Sequence, residues 1–201
     1  MIKDQEFFSP HVEKDSFAKK KAKVDDFLKR EAKNEVGLGG FENEGKLDEN
    51  IKEITIKMNQ LPFLYTIQTC GGHMHTRETI KDKYSYTDKK FLQLPPVNTA
   101  FYQSGYIGFE TTKDTQSQSF IDKLKNLVSQ FKGATLFDPT TETEPERQEL
   151  PYDLKFGEGG SIRGIDIQKA KALELKREKF KEELGKLIDA FLQTYDENIL
   201  T

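Results

Sequence analysis

Cys70 and His73 lie three residues apart, with Gly71 and Gly72 between them and His75 two residues further on. Few residue types carry more reactivity per position. A thiol whose proton is drawn off by a neighbouring imidazole is a nucleophile or a metal ligand. Two glycines allow a sharp backbone turn that exposes N–H groups to an anion or carboxylate. His73 and His75 would share a face if a strand resumed after the turn, an arrangement that suits a metal pair. A metal needs a third donor, which His11 or a carboxylate would have to supply, and no metal is expected. The competing reading of Cys70 is a small buried apolar residue.

A second cluster, Gly157, Gly159, Gly160 and Gly164, surrounds Ser161 and Arg163 just ahead of a long helical pattern. It could hold a phosphate or carboxylate at a helix N-terminus, or serve as a flexible connection. It matches neither a P-loop nor a dinucleotide fingerprint. A third feature is basic: Lys19-Lys20-Lys21, with Lys14, Lys23, Lys29 and Arg30 nearby, offers a phosphate-binding face. Asp25, Asp26 and Glu31 interrupt it and favour a solvated helix surface.

The elements that must position these residues follow from periodicity. Ser9-Pro10 opens a Lys-rich helix reaching about residue 34, with Phe17, Val24, Phe27 and Leu28 as a thin apolar stripe. Gly37, Gly39 and Gly40 end it. Asp48 is placed to cap a second helix carrying Ile51, Ile54, Met58 and Leu61, which Pro62 closes. Phe63 to Thr69 has the β-branched and aromatic content of a strand and is expected to be central. Residues 76–90 and 138–149 read as exposed loops, with a short strand at Phe91–Leu94 between them. Gly105 to Glu110 is a second strand, followed by a helix with Phe120, Ile121, Leu124, Leu127, Val128 and Phe131 on one face. Ala134 to Phe137 is a third strand, and Tyr152 to Phe156 alternates like an edge strand. The chain closes on a helix over roughly 166–195 with Leu173, Phe180, Leu184, Leu187, Ile188 and Phe191 inward. The order predicts one α+β domain over residues 1–201. A small mixed sheet sits at its centre, flanked by an N-terminal helical pair and the C-terminal helix.

Composition narrows the class. Hydrophobic residues make up 35% and charged residues 32%, while 15 Phe and 7 Tyr supply an aromatic-rich core. A net charge of −3, from 31 basic and 34 acidic residues, selects no partner. One cysteine excludes an intrachain disulfide and a multi-cysteine zinc site. No apolar run reaches the ~20 residues of a membrane span, and Met1 to Ser9 lacks a signal peptide's apolar stretch. The expectation is a cytoplasmic protein without a membrane partner.

Leu47-Asp48-Glu49-Asn50-Ile51, Met58-Asn59-Gln60-Leu61-Pro62-Phe63 and Tyr65-Thr66-Ile67-Gln68-Thr69-Cys70-Gly71-Gly72-His73 carry a resemblance. Together they resemble the N-terminal half of the wybutosine-synthesis tRNA methyltransferases, the tRNA wybutosine-synthesizing protein 3-like family. Thr66, Thr69, Cys70 and Gly72 match its signature, Thr69 standing for a serine. Gly71 replaces a serine and His73 an arginine. Recognisable residues cover about 47–73, and the rest agrees in element order.

The resemblance implies S-adenosylmethionine as cofactor and a tRNA base, or a related nucleobase-like molecule, as substrate. It places Cys70 and His73 at the catalytic position and Thr66, Thr69, Gly71, Gly72, Ser161 and Arg163 around the cofactor. The alternatives are a non-enzymatic ligand- or RNA-binding module of the same fold, and a Cys70/His73 hydrolase or histidine-based metal enzyme with His75 as a ligand.

Overall fold

A computed structural model describes residues 16–32, 47–79 and 95–199. The elements are α1 (Phe17–Ala32), α2 (Lys52–Gln60), β1 (Leu64–Cys70), β2 (His73–Thr76), β3 (Thr99–Thr111), α3 (Thr115–Ser129), β4 (Thr135–Phe137), α4 (Pro145–Gln148), β5 (Tyr152–Asp166) and α5 (Ile167–Ile199). The α+β class holds. The sheet runs β1-β3-β5-β4, with β2 also paired to β3, and among the described residues every pairing is antiparallel rather than mixed. The expected helix entrance at Ser9-Pro10, the glycines at 37–40, residues 80–90 and the strand at Phe91–Leu94 lie outside the described residues. So does His11.

Helix α3 forms where the sequence requires it. The Asp114 carboxylate accepts the Ser117 N–H at 2.8 Å, satisfying a donor of the first turn. Phe120, Ile121, Leu124 and Leu127 then fall on one buried face. Burying each such side chain contributes about 1.5–3 kcal/mol. In α5 the buried positions are Ala170, Arg177, Phe180, Lys181, Leu184 and Ile188. These two helices and α2 cover one face of the sheet over Leu64, Ile107, Phe109, Leu154 and Phe156. Rings knit this core: Phe63 and Phe191 pack on Phe120, and Phe131 and Phe156 on Phe180.

Four expectations change. β1 is not central; β3 is, and among the described residues β1 pairs with it alone. The outward backbone of β1 meets side chains instead: Lys21 Nζ donates to the Leu64 carbonyl at 2.9 Å, and the Thr66 N–H donates to Asn59 Oδ1 at 3.0 Å. Tyr152 to Phe156 is not an edge strand, because β4 pairs along Asp153 to Lys155. Residues 138–149 are mostly exposed but contain a 3-10 turn, Pro139–Thr141, and α4, anchored by buried Asp138.

The fourth change concerns the glycine cluster. Gly157 to Gly164 is strand, not a connection before a helix. Gly105 pairs with Phe156 and Gln103 with Ser161, so four residues of β5, 157–160, bulge against the single Ser104 of β3. Gly157, Gly159 and Gly160 have positive φ, which an inserted bulge demands and other residues resist.

Candidate functional site

Helix α1 packs on the opposite side of the sheet, at one end, through Phe17 against Tyr65 and Lys20 against Glu110. Residues paired directly across strands project to the same side. His73, Gln103 and Ser161 therefore form one row over β2, β3 and β5, and His75, Phe101 and Arg163 form the next. Tyr102, between Phe101 and Gln103, points to the other side and is fully buried there under Arg177. The two rows thus lie on the face away from α5. Ser161 and Arg163 are exposed and stand two strand spacings, roughly 10 Å, from β2. They share a face with His73 but not a contact. Two grooves of the molecule, one along α3 and one between α2 and α5, include neither Cys70 nor His73 in their walls.

Cys70 and His73 do meet, Sγ to Nε2 at 3.4 Å. The unforeseen member is Asp48. Its Oδ2 lies 3.4 Å from His73 Nε2 and 4.0 Å from Cys70 Sγ, and accepts the Gly71 N–H at 2.9 Å. The sequence marked Asp48 as a helix cap, but α2 starts after Ile51 with no side-chain cap bond. The carboxylate is instead held from both sides, because Oδ1 accepts the Asn50 N–H at 3.1 Å.

The turn itself is tightly held. Asn50 Nδ2 donates to the Gly72 carbonyl at 3.3 Å, and Lys181 Nζ donates to the Asn50 carbonyl at 2.8 Å. Beneath Gly72 lies the Arg177 guanidinium, 1% exposed, whose Nη1 donates to the Gln103 carbonyl at 2.9 Å. Its Nη2 lies 3.3 Å from Glu174 Oε1, while its Nε makes no hydrogen bond, with Glu178 3.5 Å away. Arg177 had a legible signal: it occupies a core position of the α5 stripe, four residues after Leu173 and three before Phe180, where a charge is costly unless partnered.

Burial pushes the Cys70 thiol above its ordinary value. The Gly72 N–H bonded to sulfur and the Arg177 charge oppose this, and the Asp48 charge adds to it. A protonated thiol is a poor nucleophile, which weighs against the Cys70/His73 hydrolase. Two of the residues expected around the cofactor do not face the side of the sheet on which His73 lies. Thr66 is buried with its hydroxyl accepting Asn59 Nδ2 at 2.7 Å, and Thr69 pairs with core Ile107, so both face the helices. His75 does not join the Asp48–Cys70–His73 group; its ring lies parallel to those of His73 and Phe101, centroids 5.5 and 6.3 Å apart.

No family model and no curated protein matches the chain. Among solved structures, the PH1069 protein from Pyrococcus horikoshii is similar at 16% identity and a TM-score of 0.43, over 87% of this chain and 95% of that one. So distant a likeness carries no argument. Among the described residues, no helix is long and apolar enough to cross a membrane.

Proposed function

We propose that the open sheet face beside Cys70 and His73 binds a nucleobase together with S-adenosylmethionine, and that the protein transfers a methyl group to a tRNA base. One observation carries this reading. Two of the three segments that bear the resemblance, around Asp48 and around Cys70, are 22 residues apart and meet atom to atom at Gly71 and Cys70. Support comes also from the parallel, partly exposed rings of His73, His75 and Phe101, a surface on which a base can stack. Methyl transfer from this cofactor asks chiefly for alignment of acceptor and donor, which a rigid strand surface provides.

The basic run contributes less than its composition promises. Lys20 pairs with Glu110 at 3.1 Å, and Lys21 donates inward to the Asn59 and Leu64 carbonyls. Burial holds the Lys21 ammonium below its ordinary value, with Asp25 opposing. Exposed Lys29 lies on the same helix and is available for phosphate contact.

A second reading, a binding module without catalysis, is favoured by His73 and Gly71 standing where the resembling family has arginine and serine. A histidine lacks the permanent, bidentate charge of an arginine. The cofactor test is thermal unfolding with and without S-adenosylmethionine. Ligand at 100 times its Kd stabilises by about 2.7 kcal/mol, and His73→Arg should increase the shift. No shift at millimolar cofactor overturns the methyltransferase reading. Binding of cofactor and tRNA without transfer of labelled methyl leaves the module.

A further inference from the structure

We infer that Asp48, Cys70 and His73 form a zinc site with an open fourth position. The inference does not rest on methyl transfer. It rests on the size of a triangle. The donor atoms Oδ2, Sγ and Nε2 are separated by 3.4, 3.4 and 4.0 Å. Zinc bonds of about 2.0 Å to oxygen, 2.05 Å to nitrogen and 2.3 Å to sulfur, set tetrahedrally, impose separations of about 3.3, 3.6 and 3.5 Å for N···O, S···N and S···O. The N···O and S···N edges lie within about 0.2 Å of those values, and the S···O edge is about 0.5 Å longer, so a small inward shift of Asp48 or Cys70 would close the triangle on an ion.

Hydrogen bonding accounts for the cluster less well. The Cys70 thiol donates to Asp48 Oδ2 only at 4.0 Å, and the same oxygen is the acceptor that His73 Nε2 faces, so both contacts are long. The 3.4 Å separation of His73 from Asp48 exceeds the 2.7–3.2 Å of a good N–H···O bond. Two of the three donors are also oriented from outside the triangle. Gly71 and Asn50 N–H groups fix the two Asp48 oxygens, and the Gly72 N–H reaches Cys70 Sγ. Outer partners of this kind are what a metal site needs to hold its ligands in place. One oxygen, one nitrogen and one sulfur match the borderline-soft preference of zinc over magnesium or calcium. Three protein ligands leave room for a water, as catalytic zinc sites do. His73 belongs both to this triangle and to the His73–Gln103–Ser161 row, so a metal here would adjoin that face of the sheet.

The test uses the full chain, stripped with a chelator and titrated with Co2+. The expected result is one ion per chain, with a near-ultraviolet thiolate-to-cobalt band that stoichiometric Zn2+ abolishes. Cys70→Ser should remove the band. Asp48→Asn and His73→Gln should weaken affinity by at least roughly 100-fold, since losing an outer partner alone costs 10–100-fold. His75→Gln should cost less affinity than either ligand substitution, because that ring packs on His73 but supplies no donor atom to the triangle. The unmutated chain decides first: no thiolate band at saturating Co2+ overturns the proposal, as does a band that survives in folded Cys70→Ser. Neither result depends on S-adenosylmethionine binding, so the two readings fail separately.

Discussion

The two glycine-rich segments look alike as sequence and differ in what surrounds them. In the first, a Cβ added at Gly71 would lie 2.6 Å from Asn50 Cβ. One added at Gly72 would lie 2.6 Å from Arg177 Nη1 and 2.7 Å from the Gln103 carbonyl oxygen. In the second, a Cβ at Gly160 or Gly164 would meet nothing within 4 Å. The first pair are glycines of close approach, pressed by the turn ahead of α2, by α5 and by β3. Gly160 and Gly164 are glycines of conformation, needed for the path of β5 and with open space around them, while Gly157, where an added Cβ would run into Tyr102 Oη, combines the two. Density of contact around the backbone, more than glycine content, separates the tight turn at Gly72 from the open bend at Gly160.

Substitutions can break or sharpen that contrast. Gly72→Ala carries both penalties, a left-handed φ of 77° and backbone overlap, and should cost about 2–4 kcal/mol in denaturant unfolding. A loss below about 1 kcal/mol, the strain of the φ alone, would mean the turn is looser than its contacts indicate. Arg177→Met keeps most of the side-chain volume but leaves the Gln103 carbonyl without its donor. Unfolding should show a loss of about 1–3 kcal/mol, the usual cost of a stranded buried acceptor. Gly160→Ala isolates conformation from crowding. With a φ of 62° and open space, it should cost only about 1 kcal/mol and leave any ligand or metal affinity at Cys70 unchanged. A cost equal to that of Gly72→Ala would erase the distinction.

Much of the fold was legible because burial writes a period into sequence. The α3 stripe, the apolar face of α5, the strand before Cys70 and the strand through Tyr106 each repeat at the spacing of their element. Edge and centre were not legible, because aromatic and β-branched strands read the same whether pairing occurs on one side or two. β5 was cut short at Gly157, since a bulge needs the same residues as a loop. Of the site, the Cys70–His73 turn stood out by residue type alone. Asp48 did not: an aspartate before an apolar helix pattern has an ordinary explanation, and its approach to Gly71 depends on where the helix docks. Arg177 is legible only through its place in the apolar stripe of α5, since a long, charged helix sets one buried charge among many exposed ones. Ser161 and Arg163 were associated with the site, and the register places them on its face yet two strands away.

Lys21 and Asn59, which hold the outward backbone of β1, have a bearing on how the molecule behaves in a crowd. An unpaired strand margin is a template on which another chain can add a strand. Here Lys21 fills the Leu64 acceptor and Asn59 fills the Thr66 donor, so the margin offers a newcomer no free rung at those positions. Helix α1 thus guards against growth of the sheet from one molecule into the next, and lifting it away would turn a local loosening into a loss of solubility.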